Sequence, residues 1–157
     1  MAEKYAAKAA WAKANPEKAA KLEMFFSGKA PEVNWAAIEQ KAGVATRAAS
    51  ATVLSALATQ VENMIVASAD LSNSDKTDGF LKKTHAFKKG DFSGAFFQAG
   101  VAELTMACCC IGMALHGGVI PACGTFFVFS DYMKPAIRMA ALMEQPVKFV
   151  WSHDAFA

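Results

Sequence analysis

The sequence predicts an α/β domain built on a mainly parallel sheet. Three observations point to it. Short apolar runs recur at Met64 to Ala67, Ala95 to Gln98, Val119 to Cys123 and Val147 to Trp151. They lack the strict polar alternation of a sheet with one wet face, so they fit strands buried on both sides. Helix-forming segments lie between most of them, as parallel strand connections require. Hydrophobic residues make up 54% of the 157 and charged residues 19%, which supports a packed core and excludes a disordered chain.

The elements follow in order. Residues 3 to 26 are rich in Ala, Lys and Glu, all strong helix formers. Asn15-Pro16-Glu17 interrupts them, with Asn15 suited to cap a second helix and Pro16 suited to its first position. A loop with Ser27-Gly28 and Pro31 leads to a short helical piece around Trp35 to Lys41. Residues 1–42 therefore read as a helical linker or arm, and residues 43–157 as the domain proper. Thr46 to Leu57 reads as an amphipathic helix before the first strand. Leu71 to Gly94 is polar and reads as an extended loop, of a length that in compact domains is usually functional or mobile. A helix is expected from about Val101 to Leu115. Another is expected over Phe126 to Met143, with Pro135 an unexpected member that would begin a new turn or kink it.

The formal net charge is +2, from 16 basic and 14 acidic residues, and gives no reason to expect nucleic acid or a membrane surface as partner. Cys108, Cys109, Cys110 and Cys123 offer no C-x-x-C pair for zinc, and they read as buried small hydrophobes in a reducing compartment. The N-terminus has no apolar signal segment. The charge-free run from Leu104 to Ser130 contains His116-Gly117-Gly118, Pro121 and Gly124, which would break a membrane-spanning helix. The expectation is a soluble, cytoplasmic protein.

Glu103 is the first candidate for chemistry. It opens a helix directly after a strand, and an acid there is commonly a partner of the helix dipole. Its place at the C-terminal edge of a parallel sheet, where α/β proteins bind ligands, gives a functional alternative. Phe126, Phe129 and Tyr132 recur at helical spacing; they suit core packing or an apolar wall against a flat heteroaromatic ring. Arg47, Ser74 and His153 suit an anion site if the fold brings them together. There is no Gly-rich or Walker-type phosphate loop.

Several segments, in the right order, are similar to transketolase. Ala45-Thr46-Arg47-Ala48-Ala49-Ser50 resembles the A-T/S-R-x-x-S segment that starts its middle domain. Ser68-Ala69-Asp70-Leu71-Ser72-Asn73-Ser74 resembles S-A-D-L-x-x-S. Gly100-Val101-Ala102-Glu103 looks like G-V-R-E, and the match continues through His116-Gly117-Gly118, Pro121, Gly124-Thr125-Phe126, Arg138 to Met143 and Ser152-His153-Asp154. The resemblance implies a three-layer α/β/α thiamine-diphosphate-binding fold and the pyrimidine-binding domain of an enzyme that transfers a two-carbon ketol unit between sugar phosphates. It makes Glu103 the catalytic glutamate that hydrogen-bonds the pyrimidine ring. Asp70 is implied beside cofactor and substrate, with Phe126, Phe129 and Tyr132 as the aromatic pocket. Arg47, Ser74 and His153 are implied to hold the sugar phosphate, Arg offering a rigid fork of donors. The implied cofactor is thiamine diphosphate, with Mg2+ or Ca2+ held by a diphosphate-binding domain of a second subunit in a homodimer.

The sequence departs from the family at Ala102, where an arginine is usual, and at Leu104. G-x-A-E also occurs in deoxyxylulose-phosphate synthase and in split transketolases, so those remain alternatives beside a non-catalytic interaction module of the same fold. The chain stops soon after Ser152-His153-Asp154, and it contains no G-D-G…N motif for the diphosphate. The expectation is a domain truncated at its C-terminal edge and inactive alone.

Overall fold

The structure, a computed structural model, describes residues 1–154. Four strands, β1 (Met64–Ser68), β2 (Phe96–Gln98), β3 (Ile120–Thr125) and β4 (Lys148–Trp151), form one sheet in the order β2-β1-β3-β4. Every pairing is parallel: Val66 lies opposite Phe96 and Ala122, and Thr125 opposite Trp151. All four strands therefore end on one edge, and the residues that follow them converge there.

Side chains alternate across the strands and build two cores. Val66, Phe96 and Ala122 pack with Leu54 and Val61 from the α3 side (α3, Thr46–Gln60), together with Phe80. Ala67, Ala69 and Cys123 face the other layer, α6 (Glu103–His116) and α7 (Ser130–Leu142), through Met106, Cys110, Ile111, Met133 and Ala136. These are the three layers expected. Phe80, Phe96, Met106 and Met133 are fully enclosed, and each contributes roughly 1.5–3 kcal/mol by burial.

The stretch from Leu71 to Gly94 departs from the extended loop that its polarity predicts. It contains two single-turn helices, α4 (Ser72–Asp75) and α5 (Asp78–Leu81), and Asp75, Thr77, Asp78, Gly79 and Phe80 are buried. Asp75 and Thr77 stay inside because they bond to one another and to Ser68, and Asp78 pairs with the exposed Lys82. Gly79 is needed here: a Cβ would collide with the carbonyl oxygen of Ala51, so α5 packs closely on α3.

The N-terminal helices are α1 (Ala2–Ala14) and α2 (Pro16–Phe26), with Pro16 at the first position of α2. Asn15 does not cap α2 with its side chain; its amide turns back and donates to the carbonyl of Trp11 at 3.0 Å. Only a 3₁₀ turn, Trp35–Ala37, occupies the place of the next expected helix. Phe26 rests on Gly117 and Gly118, where a Cβ at Gly118 would come within 3.0 Å of its ring. Lys21 also pairs with Glu62 at 2.8 Å, an exposed contact worth at most about 1 kcal/mol.

Two further expectations need correction. Phe126 is extended and is followed by a 3₁₀ turn (Phe127–Phe129), so the last helix starts at Ser130; Pro135 sits on its exposed side without ending it. Cys110 and Cys123 are buried and Cys109 is half-buried, but Cys108 is exposed, because Met106, Ala107, Cys110 and Ile111 take the inward face of α6. The hydrogen bond with Cys110, together with burial, pushes the Cys123 thiol far up. Among the described residues no helix is long and apolar enough to cross a membrane.

Candidate functional site

The C-terminal edge of the sheet collects every residue singled out by sequence. Asp70 and Ser74 follow β1, Glu103 follows β2, Phe126 to Tyr132 follow β3, and His153 follows β4. Arg47 arrives from the first turn of α3, which runs back toward the start of β1.

Glu103 is the first residue of α6 and is only 8% exposed. Among the described residues its carboxylate takes part in no ion pair. The helix N-terminus supplies a favourable dipole but no side-chain partner. A carboxyl group in this position is available to a ligand.

Phe126, Phe129 and Tyr132 form a stacked row, with ring centroids 5.7 Å and then 6.1 Å apart and interplanar angles of 10° and 24°. They do not share a helix face as their spacing suggests. The row spans an extended residue, the 3₁₀ turn and the first turn of α7. His153 meets Phe126 edge-on at 4.6 Å. Asp154 secures the turn by accepting from the Val128 N–H at 2.9 Å, a role that sequence reasoning missed.

Arg47, Ser74 and His153 meet, although 106 residues separate the first from the last. Arg47 Nη1 donates to the Ser74 carbonyl at 3.1 Å and lies 3.0 Å from His153 Nε2. A guanidinium only donates, so that imidazole nitrogen acts as acceptor. All these contacts use Nη1, and the other guanidinium N–H groups are further donors of the kind an anion requires. Ser74 contributes its carbonyl to this contact rather than its hydroxyl. Asp70 is exposed and holds a left-handed backbone, φ 64°, at the turn out of β1.

Beneath this edge lies a buried network that the sequence did not reveal. Asp75, 2% exposed, accepts from Ser68 Oγ, the Thr77 N–H and Thr77 Oγ1, each at 2.8 Å. Burial pushes its carboxyl above the ordinary aspartate value, against the lowering effect of those bonds. Gly124 makes room for the network, since a Cβ there would collide with Thr77 Cγ2. A hint lay in the sequence: a short run of Ser, Asp and Thr just after a strand is suited to bond to itself.

Residues 42–157 match the family described as transketolase, pyrimidine binding domain. The chain belongs to that family. It is 44% identical over 153 residues to the transketolase of Halalkalibacterium halodurans, covering 95% of this chain and 22% of the relative. It is 39% identical over 153 residues to a chloroplastic transketolase of Craterostigma plantagineum, covering 94% and 29%. Transketolase from Leishmania mexicana superimposes with a TM-score of 0.84 at 30% identity, covering 94% of this chain and 22% of that one. A transketolase from Pichia stipitis in complex with sedoheptulose 7-phosphate gives 0.82 at 36% identity, covering 94% and 23%. The chain thus spans about a fifth to under a third of the length of these relatives.

Membership of the family implies thiamine diphosphate. The residues present fit the pyrimidine part of that cofactor. A stacked aromatic row suits a flat ring, and a buried carboxyl group without an ion-pair partner suits a ring nitrogen. Among the described residues there is no group of three or more His, Cys, Asp or Glu placed to hold a metal ion.

Proposed function

We propose that this chain supplies the pyrimidine-binding half of a transketolase active site, for transfer of a two-carbon ketol unit between ketose and aldose phosphates. Residues 43–157 act as the binding domain and residues 1–42 as a helical arm. The observation that carries the reading is Glu103, a buried carboxyl group without an ion-pair partner on the sheet edge that also bears the aromatic row.

Thiamine diphosphate supplies, when bound, the electron sink that lets a carbon–carbon bond next to a carbonyl break and form. The protein's part is to bind and to orient. Glu103 holds a proton at a pyrimidine ring nitrogen through one hydrogen bond, which is strengthened by the dry surroundings. Phe126, Phe129 and Tyr132 cover the ring. Asp70 faces cofactor and sugar at the mouth of β1. Arg47, the Ser74 segment and His153 hold the sugar phosphate, placing the reacting carbon rather than reacting themselves.

The diphosphate and its Mg2+ or Ca2+ would be held by a diphosphate-binding domain of a second subunit, with the site completed in a homodimer. The test is reconstitution. The chain is combined with a transketolase diphosphate-binding domain, and ketol transfer is measured with a ketose phosphate donor and an aldose phosphate acceptor. Activity that needs both polypeptides and thiamine diphosphate is expected, with none from this chain alone. Ketol transfer by the isolated chain would overturn the division of roles.

A further inference from the structure

The loop that carries Asp70 and Ser74 is closed by a ring of hydrogen bonds that passes through one buried side chain. Ser68 Oγ, at the end of β1, accepts from the Leu71 N–H at 3.3 Å and donates to Asp75 Oδ2 at 2.8 Å. The Leu71 carbonyl accepts from the N–H groups of both Ser74 and Asp75, each at 2.8 Å. Asp75 Oδ1 then fixes Thr77 through its N–H and hydroxyl. Lys76 between them is held in the left-handed region, φ 69°, a conformation that a non-glycine residue keeps only when its neighbours are fixed. The far side of the ring rests against Gly124 of β3.

We infer that Asp75 is a positioning residue of the sugar-phosphate site: it locks residues 68–77 so that the Ser74 carbonyl grips Arg47 Nη1 and holds the guanidinium facing the anion. The inference rests on the phosphate-binding reading of Arg47, Ser74 and His153. Asp75 is 2% exposed and its hydrogen bonds go only to Ser68 and Thr77, so it acts on the substrate through the loop it holds rather than by contact. Without the lock the carbonyl swings, and Arg47 loses one of its two anchors, the other being His153.

A role of this kind predicts a selective defect. Global loosening harms every substrate alike, whereas a misplaced guanidinium harms only a substrate that carries the phosphate. The test uses the reconstituted or full-length transketolase and compares an aldose phosphate acceptor with the same aldose lacking phosphate. D75A is expected to raise KM for the phosphorylated acceptor by about tenfold, the cost of misaligning one charged hydrogen-bonded group, with little change in kcat. Its kcat/KM for the unphosphorylated acceptor should stay within about twofold of the parent, because that sugar makes no use of Arg47 and the Asp70 turn keeps its own bond from the Leu71 N–H to Ser68 Oγ. D75N should restore phosphorylated-acceptor KM, since an amide oxygen still accepts from Thr77 and the Ser68 hydroxyl turns to accept from the amide. S68A, a gentler cut in the same ring, should shift KM in the same direction by less, and serves if D75A folds poorly. Adding D75A to R47A should cost nothing further in phosphate discrimination. Equal losses on both acceptors, or unchanged discrimination in D75A and S68A while R47A abolishes it, would overturn the role of Asp75 alone. Full discrimination in R47A would instead overturn the phosphate-site reading beneath it.

Discussion

Two buried acids lie near the same sheet edge, and they are opposites. Asp75 is 2% exposed and its carboxylate accepts three hydrogen bonds; Glu103 is 8% exposed and has no ion-pair partner among the described residues. Burying a carboxyl group is costly unless its lone pairs are satisfied. Inside the fold Ser68 and Thr77 take up the acceptor positions of Asp75, which lessens the cost without cancelling it, since its carboxyl stays above the ordinary value. The Glu103 carboxyl, without an ion-pair partner among the described residues, stays open to something that binds, which is the role proposed for it. Burial alone would not have told them apart; partnership does.

The sharpest way to break the contrast is to remove each side chain and measure unfolding. D75A strands the Thr77 N–H, the Thr77 hydroxyl and the Ser68 hydroxyl inside the domain, and is expected to lower stability by about 3 kcal/mol in denaturant titration. E103A removes a group with no ion-pair partner among the described residues and should change stability by no more than about 1 kcal/mol, the size of its helix-dipole contribution. Equal losses from the two variants would contradict the distinction.

A smaller effect tests the aromatic row that accompanies Glu103. F129A removes the central ring of the stack and should weaken thiamine diphosphate binding by the reconstituted enzyme about tenfold, roughly the value of an aromatic contact. D75A should leave that affinity nearly untouched, since its network lies next to the Arg47–Ser74 contact and the Asp70 turn keeps its Leu71–Ser68 bond. Cofactor titration of the two proteins separates them.

The smallest effect concerns pH. Burial raises the Asp75 carboxyl above its ordinary value of 3.8. Between that value and the raised one the folded state binds more protons than the unfolded chain, so this residue's contribution to stability falls as pH rises through the interval. An amide does not titrate. The stability of D75N relative to the parent is therefore expected to increase as pH rises from about 3.8, read from urea midpoints at a series of pH values. A difference that stays flat with pH would mean that Asp75 does not titrate in the folded domain as its burial requires.

The same contrast separates what the sequence discloses from what it does not. The four strands were legible because each is a short apolar run buried on both faces, and the parallel order followed from the helices between them. Glu103 was legible as an isolated acid at a helix start within a charge-free region. The meeting of Arg47 with His153 was not, because nothing local records a contact across the sheet edge; only the family resemblance suggested it. Residues 71–94 misled for a physical reason. Ser, Asp, Thr and Lys read as solvated, yet Asp75 and Thr77 satisfy each other and go inside. Phe126 and Tyr132 each stack on Phe129, but through a turn rather than along the one helix face that their spacing suggests.

In the proposed function Glu103, without an ion-pair partner among the described residues, is kept free to meet the cofactor. The most direct test is Glu103→Ala in the complete enzyme, with ketol transfer and thermal unfolding measured on one preparation. Turnover is expected to fall by about a thousandfold or more while the unfolding transition is retained. Near-normal turnover in a folded variant would contradict it.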